Sequence, residues 1–427
     1  MSSLERILDF LSRSLSPFHV VALLRKELLE NGFLELFEEG DWHIEAGKKY
    51  FVTRNDSSLL AFKIPQERKA GFHFTMAHTD SPTFKVKPHP IVETVDGIVL
   101  NVEPYGGMIN STWLDRPLAL AGRLIVQDGQ GIRPLLFGPN RDLMVIPNLC
   151  IHMNRTVNEG MRFNNAKDML PLISLDKFDF LDFLSEESHV EKKDILGFDL
   201  FLVNRDKPRL CGLKEEFLSS PKLDDLSSLY TSFLGFLKAH DEKRIPVFAG
   251  FDNEEVGSQT RQGAHSTFLR DTMARLTSLL PVDMNEAMAA SISLSIDNAH
   301  ANHPNHPEIS DQTTKVLLGK GIAIKHSARQ SYTTDALSCS FVKVLCQKSG
   351  IGYQEYTDRS DLRGGSTLGN LSNSEVSLLS CDIGIPQLAM HSSNELCAVK
   401  DLEDMIELTK TFFEVDCGVE KGGIRFE

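Results

Sequence analysis

Several apolar runs in this chain lack the polar–apolar alternation of a half-exposed strand. The clearest are IPVFAGF (245–251), ISLSI (292–296) and LLSCDIGI (378–385), and FHFTMAH (72–78) has the same character. Helical stretches such as GAHSTFLRDTMARLTSLL (263–280) separate them. Buried strands that alternate with helices are typical of a doubly wound α/β fold. The sequence therefore predicts an α/β fold with a mixed or parallel sheet.

Between about residues 90 and 215 the pattern changes to β-rich runs that contain Asp-Gly and Gly-Gln-Gly turns, which predict hairpins. At 427 residues the chain also exceeds the usual size of one hydrophobic core. We therefore expect an α/β domain formed by residues 1–90 and 216–427, interrupted by a β-rich insertion at 91–215 that serves as an oligomerisation or lid domain.

Local signals predict two further features. Ser16 and Pro17 have the residue types of an N-cap and a first-turn proline, and Gly32 is a plausible stop for the helix that they open. The seven cysteines are scattered and contain no CxxC pair, which predicts reduced, buried thiols.

The formal net charge of −14 argues against nucleic acid and anionic membrane surfaces as partners, because both attract basic proteins. The amino-terminal residues mix acids and bases within a helical apolar period, unlike a secretory signal. No window is apolar enough for a membrane span. These features predict a cytoplasmic protein.

Acidic and imidazole side chains follow each of the apolar runs. The segments are AHTD (His78, Asp80), DNEE (Glu254, Glu255), SIDNAH (Asp297, His300) and MHSSNE (His391, Glu395), and PKLDDL adds Asp224 and Asp225 before a helix. In open α/β sheets, sites lie beyond the carboxyl ends of the strands. So much negative charge in one place requires compensation, and divalent metal ions would provide it.

Imidazole and carboxylate ligands without cysteine suit zinc, with cobalt or manganese as substitutes. Five ligands exceed one tetrahedral zinc but fit two metals that share a bridging carboxylate, as in aminopeptidases. Each segment also has an explanation without metal: Glu254 and Glu255 as a solvated loop, or His391 as a buried histidine bonded to the backbone. Those explanations would all have to hold together, which favours the metal site.

The chain resembles the aspartyl aminopeptidase family, metallopeptidase family eighteen, over essentially its whole length. The resemblance is carried by AHTDSP (77–82), YGG and TWLDRPLALAGR (105–123), IPNLCIHMNR (146–155), LDDL (223–226), DNEEVGS (252–258), DNAHANHPN (297–305), RSDLRGGSTLG (359–369) and MHSSNE (390–395). It implies a dinuclear, metal-dependent aminopeptidase that releases N-terminal residues from peptides, with Asp or Glu as the candidate preference.

The resemblance also implies roles for individual residues. One metal would be held by His78, Asp224 and Asp297, and the other by Asp224, Glu255 and His391, so that Asp224 bridges the two. Glu254 would be the general base, and Asp80 would orient His78. Zinc is the expected ion at both positions.

Further implications concern assembly and substrate. Family members form large homo-oligomeric shells, usually tetrahedral dodecamers, in which His152 would reach the active site of an adjacent subunit. Lys325 and Tyr332 match positions that line the substrate pocket.

The sequence departs from the family pattern at a few positions. Asp225 stands where relatives carry Asn, and Ser331 stands near the pocket where arginine is usual. Pro117 and Asn370 replace residues that are commonly acidic and proline, respectively. Two alternatives stay open: a metal-dependent deacylase of N-acyl amino acids that uses the same site, and a shell-forming protein without catalysis.

Overall fold

The apolar runs form the centre of a large sheet in the computed structural model, which describes residues 1–362 and 364–427. The α-helices are α1 (Ser3–Arg13), α2 (Pro17–Glu30), α3 (Phe180–Ser188), α4 (Leu223–Lys238), α5 (Phe268–Ser278), α6 (Met284–Ala289), α7 (Ala336–Ser349), α8 (Leu368–Glu375) and α9 (Val399–Glu414). The strands are β1 (Leu34–Leu36), β2 (Lys49–Arg54), β3 (Ser58–Lys63), β4 (Phe72–His78), β5 (Thr83–Thr94), β6 (Gly97–Tyr105), β7 (Leu118–Asp128), β8 (Gly131–Phe137), β9 (Leu172–Ser174), β10 (Ile195–Asn204), β11 (Arg209–Cys211), β12 (Phe217–Ser220), β13 (Ile245–Phe251), β14 (Ile292–Ile296), β15 (Ala299–His300), β16 (Ile322–His326), β17 (Tyr353–Thr357), β18 (Leu379–Gly384), β19 (Pro386–Leu388), β20 (Glu395–Ala398), β21 (Cys417–Glu420) and β22 (Gly423–Phe426).

The large sheet has the strand order β1-β2-β3-β13-β4-β14-β18-β16-β17. Its centre, β13-β4-β14-β18, is parallel, whereas β3 and β16 join antiparallel to β13 and β18. Both faces are covered. On β13, Phe248 packs into a core with α4, α7 and α9, while Val247 and Phe251 pack into a second core with α5 and α8. Burial on both faces explains the absence of alternation, and the predicted α/β fold with a mixed sheet is confirmed.

A second sheet, in the order β8-β7-β10-β5-β6-β9, is antiparallel throughout. It includes the predicted hairpins, since β5 and β6 pair through Thr94 and Gly97, and β7 and β8 pair through Asp128 and Gly131. It encloses a core of its own. The structure therefore confirms a β-rich insertion sheet beside the large sheet, while its division at 91 and 215 stays a proposal.

The local predictions for α2 are confirmed. Ser16 occupies the N-cap position, Pro17 is the first helical residue, and Gly32 follows the helix end with a positive φ of 78°. The Ser16 hydroxyl does not cap the helix, because it lies 2.8 Å from Nδ1 of His19 instead. The seven cysteines are free thiols, and five of them are buried; Cys150 is exposed and Cys211 is half-buried, so the prediction of buried thiols is wrong for these two.

Candidate metal centre

The parallel strands of the large sheet end together and bring the predicted polar residues to one edge. In the pairing of β13 with β4, Phe251 lies opposite His78. The residues that follow Phe251 therefore emerge beside His78, and Asp297 follows the next parallel strand, β14. The first residues of α4 reach the same place.

The turn after β13 explains why two adjacent glutamates are useful there. Asn253 has a positive φ of 65°, and Glu254–Val256 form a short 3-10 helix. Side chains along a strand alternate between faces, but this turn ends the alternation. Carboxylate oxygens of both Glu254 and Glu255 consequently lie within 4.8 Å of a ring nitrogen of His78.

Asp224 lies between two histidines. One of its carboxylate oxygens, Oδ1, is 3.5 Å from Nε2 of His78, and the other, Oδ2, is 3.3 Å from Nε2 of His391. Nε2 of His391 is also 3.5 Å from Oε2 of Glu255. One carboxylate thus faces two separate sets of metal-ligating atoms.

The described residues form three overlapping groups of ligand atoms at this edge, each with its members within 4.8 Å of one another. They are His78 with Asp225 and Asp297, His78 with Glu254 and Glu255, and Asp224 with Glu255 and His391. The third group is the second predicted ligand set. The group with His78 and Asp297 contains Asp225, which the resemblance to the family did not imply as a ligand.

The histidines are held with Nε2 directed at these carboxylates. Nδ1 of His78 is 3.1 Å from the backbone oxygen of Asp80, and Nδ1 of His391 is 2.8 Å from that of Gly107. Carbonyl acceptors at Nδ1 favour the tautomer that carries its proton there, which leaves the Nε2 lone pair free for a metal.

Several oxygen atoms of the buried carboxylates have no hydrogen-bond partner in the part of the chain that the structure describes. Oδ1 of Asp224, Oδ1 of Asp225 and Oε1 of Glu255 have no hydrogen-bond partner among the described residues. Burial, reinforced by neighbouring carboxylates, raises the pKa of Glu254 to about 8. Burial likewise raises the pKa of Asp297 to about 6. Oxygen and imidazole donors with unsatisfied lone pairs fit divalent metal ions of the zinc class.

Asp80 contacts both His78 and the turn that carries Glu254 and Glu255. Its carboxylate accepts the backbone N–H groups of Glu254 and Glu255 at 3.1 and 3.2 Å, and the hydroxyl of Tyr105 at 2.7 Å. The ring nitrogen Nδ1 of His78 is 3.3 Å from the same carboxylate. Asp80 therefore fixes both the histidine and the glutamate turn.

Glu395 does the same on the opposite side. Its buried carboxylate accepts the backbone N–H of Asp224 at 3.0 Å and that of His391 at 2.7 Å. The backbone positions of Asp224 and His391 are thus fixed by one side chain.

A cavity of about 290 Å³ opens onto these groups. Lys325 and Tyr332 line it, together with His300, Tyr356 and Thr367. Nζ of Lys325 is buried, lies 3.6 Å from Oδ2 of Asp297 and is 5.4 Å from the ring centroid of Tyr332. The ammonium group of Lys325 therefore lies in this cavity, beside the carboxylates of the candidate metal centre.

Comparison with known proteins identifies the class of this site. The family described as "Aminopeptidase I zinc metalloprotease (M18)" matches residues 10–413. The chain belongs to the M18 family. It is 43% identical to a probable M18 family aminopeptidase 2 of Clostridium novyi, over 96% of this chain and 98% of that protein. Aspartyl aminopeptidase 1 of Schizosaccharomyces pombe is 34% identical, over 97% and 95%.

Solved structures agree with the assignment. A chain of the structure described as "Cryo-EM structure of the Ape4 and Nbr1 complex" superposes with a TM-score of 0.93 at 34% identity, covering 96% of this chain and 85% of that one. The S. cerevesiae mApe1 dodecamer gives 0.84 at 25% identity, covering 96% of both chains. This M18 protein is accordingly a metalloaminopeptidase, a hydrolase of the exopeptidase class.

His152 lies apart from the other predicted residues of this M18 aminopeptidase. It is exposed in a turn at residues 151–153 of the insertion, and it is not among the residues that line the cavity. Within the described part of one chain, the structure therefore does not bring His152 to the metal centre. None of the described helices combines the length and the apolar character that crossing a bilayer requires.

Sequence reasoning gave no role to two residues that organise this M18 site. Tyr105 stands in the YGG motif but on a strand of the insertion sheet, and only the fold brings it to Asp80. Glu395 is the last residue of the MHSSNE motif. Its spacing of four residues from His391 is the available signal, but its bond to the Asp224 backbone depends on the tertiary fold.

Proposed function

We propose that this protein is a dinuclear aminopeptidase in which Asp224 bridges two divalent metal ions, most simply zinc. The observation that carries the proposal is the position of the Asp224 carboxylate, with one oxygen toward His78 and the other toward His391. Two-metal hydrolases use such a shared ligand.

His78 and Asp297 would complete one position, and Glu255 and His391 the other. Asp225 is a further candidate at the first position, because its carboxylate falls in the group with His78 and Asp297. When bound, divalent ions polarise a substrate carbonyl and lower the pKa of water. The unpaired oxygens of Asp224, Asp225 and Glu255 support this assignment.

Glu254 is the proposed general base. Its carboxylate lines the cavity, and its backbone N–H is held by Asp80 at 3.1 Å. It would accept a proton from the attacking water and then donate it to the leaving amine. Glu255, whose amide is held by the same carboxylate at 3.2 Å, would serve as a ligand. Asp80 would act on both through the backbone, as well as orienting His78.

A preference for acidic N-terminal residues is the finer part of the proposal. Lys325 contributes a buried ammonium group to the cavity, and Tyr332 packs beside it. A substrate carboxylate would pair with this ammonium more favourably than an aliphatic side chain would. The similarity to aspartyl aminopeptidase 1 of S. pombe supports the same preference.

We further propose a homo-oligomeric shell, most simply a dodecamer, in which His152 completes a neighbouring site. The surface around His152 suits a contact, since Leu149 is 56% exposed and Met153 is 79% exposed. Isolated apolar residues at the surface are ordinary. Here, however, Leu149, Ile151 and Met153 are all exposed within five residues of sequence, and they form an apolar patch. Similarity to the S. cerevesiae mApe1 dodecamer supports the assembly.

Hydrolysis of a panel of aminoacyl chromogenic amides, with and without a chelator, tests the proposal. We expect release of the N-terminal residue, fastest for aspartyl and glutamyl substrates, loss of activity after chelation and recovery with zinc, cobalt or manganese. About two metal ions per chain should be found by elemental analysis. Full activity after exhaustive removal of metal would refute the dinuclear mechanism, and hydrolysis of N-acyl amino acids alone would instead indicate a deacylase.

A further inference from the structure

A second group of metal-ligating side chains lies outside the M18 site. Nε2 of His326 is 3.7 Å from Sγ of Cys339, and Oε1 of Glu355 is 3.9 Å from the same sulfur. One ligand atom from each residue lies within 4.8 Å of the other two. Imidazole, thiolate and carboxylate form a different donor set from that of the catalytic centre, where no described candidate ligand is a cysteine.

The fold brings these residues together from three elements. His326 ends β16, Cys339 is on the first turn of α7, and Glu355 is on β17. β16 and β17 are parallel with Ile324 opposite Glu355, and His326 lies two residues after Ile324, so Glu355 and His326 lie on the same face of this strand pair. Side chains alternate along a strand, so His326 points to the face opposite Lys325, which lines the catalytic cavity.

The separations are close to those required by zinc. With bonds of about 2.3 Å to sulfur and 2.1 Å to nitrogen or oxygen, tetrahedral zinc separates such ligand atoms by about 3.6 Å. The observed 3.7 and 3.9 Å need shifts of only a few tenths of an ångström. A thiolate and a carboxylate also neutralise a divalent ion completely, which suits a partly buried position.

Lys343 now provides the counter-charge, because its ammonium group contacts Glu355. The pair is partly exposed, with side-chain exposures of 33% and 39%, so the ammonium group can swing into solvent when another cation takes the carboxylate. His326 also lines an open cavity of about 680 Å³ with Ser327 and Arg329, which gives an ion and a water ligand access.

We propose that His326, Cys339 and Glu355 bind a zinc-class divalent cation, with water as the fourth ligand, as a second and non-catalytic metal site. Binding requires loss of the Cys339 proton and displacement of the Lys343 ammonium group, so affinity should rise with pH. The ion would tie the end of β16 to α7 and β17. Because Lys325 directly precedes His326 on that strand, the site would stabilise the wall of the substrate pocket from behind.

Cobalt absorption distinguishes this site from the catalytic one. A cobalt ion with a thiolate ligand has a near-ultraviolet charge-transfer band, whereas oxygen and nitrogen ligands alone give only weak visible bands. Titration of the metal-free protein with Co²⁺ should therefore produce both signals in the unaltered chain. Cys339→Ser should abolish the charge-transfer band and keep the visible bands, which also show that the variant is folded. Cys346→Ser, on the same helix, is the matched control and should keep both.

A second variant tests whether the ammonium group of Lys343 competes with the metal ion for Glu355. Lys343→Met removes the competing ammonium group and should tighten cobalt binding at the charge-transfer band by about threefold to fivefold, the scale of a surface ion pair. Lys348→Met, on the same helix but away from Glu355, should leave the affinity for cobalt unchanged. His326→Gln should weaken the affinity for cobalt. No charge-transfer band in the unaltered chain, or a band that persists in Cys339→Ser, would overturn the proposal.

Discussion

The hydroxyl of Tyr105 donates a 2.7 Å hydrogen bond to the carboxylate of Asp80. Tyr105 ends β6 of the insertion sheet, whereas Asp80 follows β4 of the large sheet, so this bond joins the two sheets at the metal centre. The same carboxylate holds the backbone of Glu254 and Glu255. The insertion is thereby coupled to the residues proposed for proton transfer and metal binding.

We predict that Tyr105→Phe lowers kcat about tenfold with little change in KM or metal content. The variant removes the bond to the charged Asp80, worth about 1.5–3 kcal/mol, and the 2.8 Å bond that the hydroxyl accepts from Nδ2 of Asn253 in the same turn. It keeps the ring that packs on Phe201. Steady-state kinetics and elemental analysis provide the measurement. Tyr353→Phe, at an exposed residue of β17, is the control. An unchanged kcat would mean that the bond to Asp80 does not position the glutamate turn.

The sequence was sufficient to predict the α/β fold and the edge of the sheet where polar residues collect. Both follow from local patterns: continuous apolar runs mark strands buried on two faces, and acidic or imidazole residues follow each run. Contacts between distant segments were not predictable in this way. Neither the Tyr105–Asp80 bond nor the proximity of His326 to Cys339 leaves a local signal, because each depends on how separate elements pack.

Adjacent glutamates should respond differently to the same substitution. We predict that Glu254→Gln retains both metals and loses about 10²–10⁴-fold in kcat, the scale of a lost general base. Glu255→Gln should instead weaken metal binding, because its carboxylate faces Nε2 of His391 at 3.5 Å. Metal content after gel filtration separates the two effects. Identical metal content in the two variants would contradict the division of roles. The comparison is informative because carboxylate oxygens of both residues lie within 4.8 Å of a ring nitrogen of His78.

Lys325 should determine the preference for acidic substrates. We predict that Lys325→Met lowers the ratio of kcat/KM for glutamyl over leucyl amides by about 10- to 100-fold, because a charge-assisted hydrogen bond contributes about 1.5–3 kcal/mol. The ratio is informative because Lys325 also contacts Asp297, and a change in metal binding would affect both substrates alike. Lys315→Met, at an exposed position, is the control. A ratio that does not change would exclude Lys325 as the specificity residue.

The position of His152 leads to a prediction about assembly. It lies in an exposed turn among the exposed apolar side chains of Leu149, Ile151 and Met153, and it does not line the cavity of its own chain. If it acts in a neighbouring subunit, then a complete site needs Glu254 from one chain and His152 from another. We therefore expect His152→Ala to lose most activity while it retains its metals, since no predicted ligand is altered.

Mixing the two inactive variants tests this directly. His152→Ala protomers carry an intact Glu254, and Glu254→Gln protomers carry an intact His152. When the two are dissociated and reassembled together, some sites pair an intact Glu254 with an intact neighbouring His152, so activity should return to a substantial fraction of the unaltered level. Each variant reassembled alone is the control for the procedure, and native mass spectrometry verifies that mixed shells have formed. If His152 acts within its own chain, no mixed site is complete, because every chain lacks one of the two groups. Mixed shells without recovered activity would thus refute a site shared between subunits.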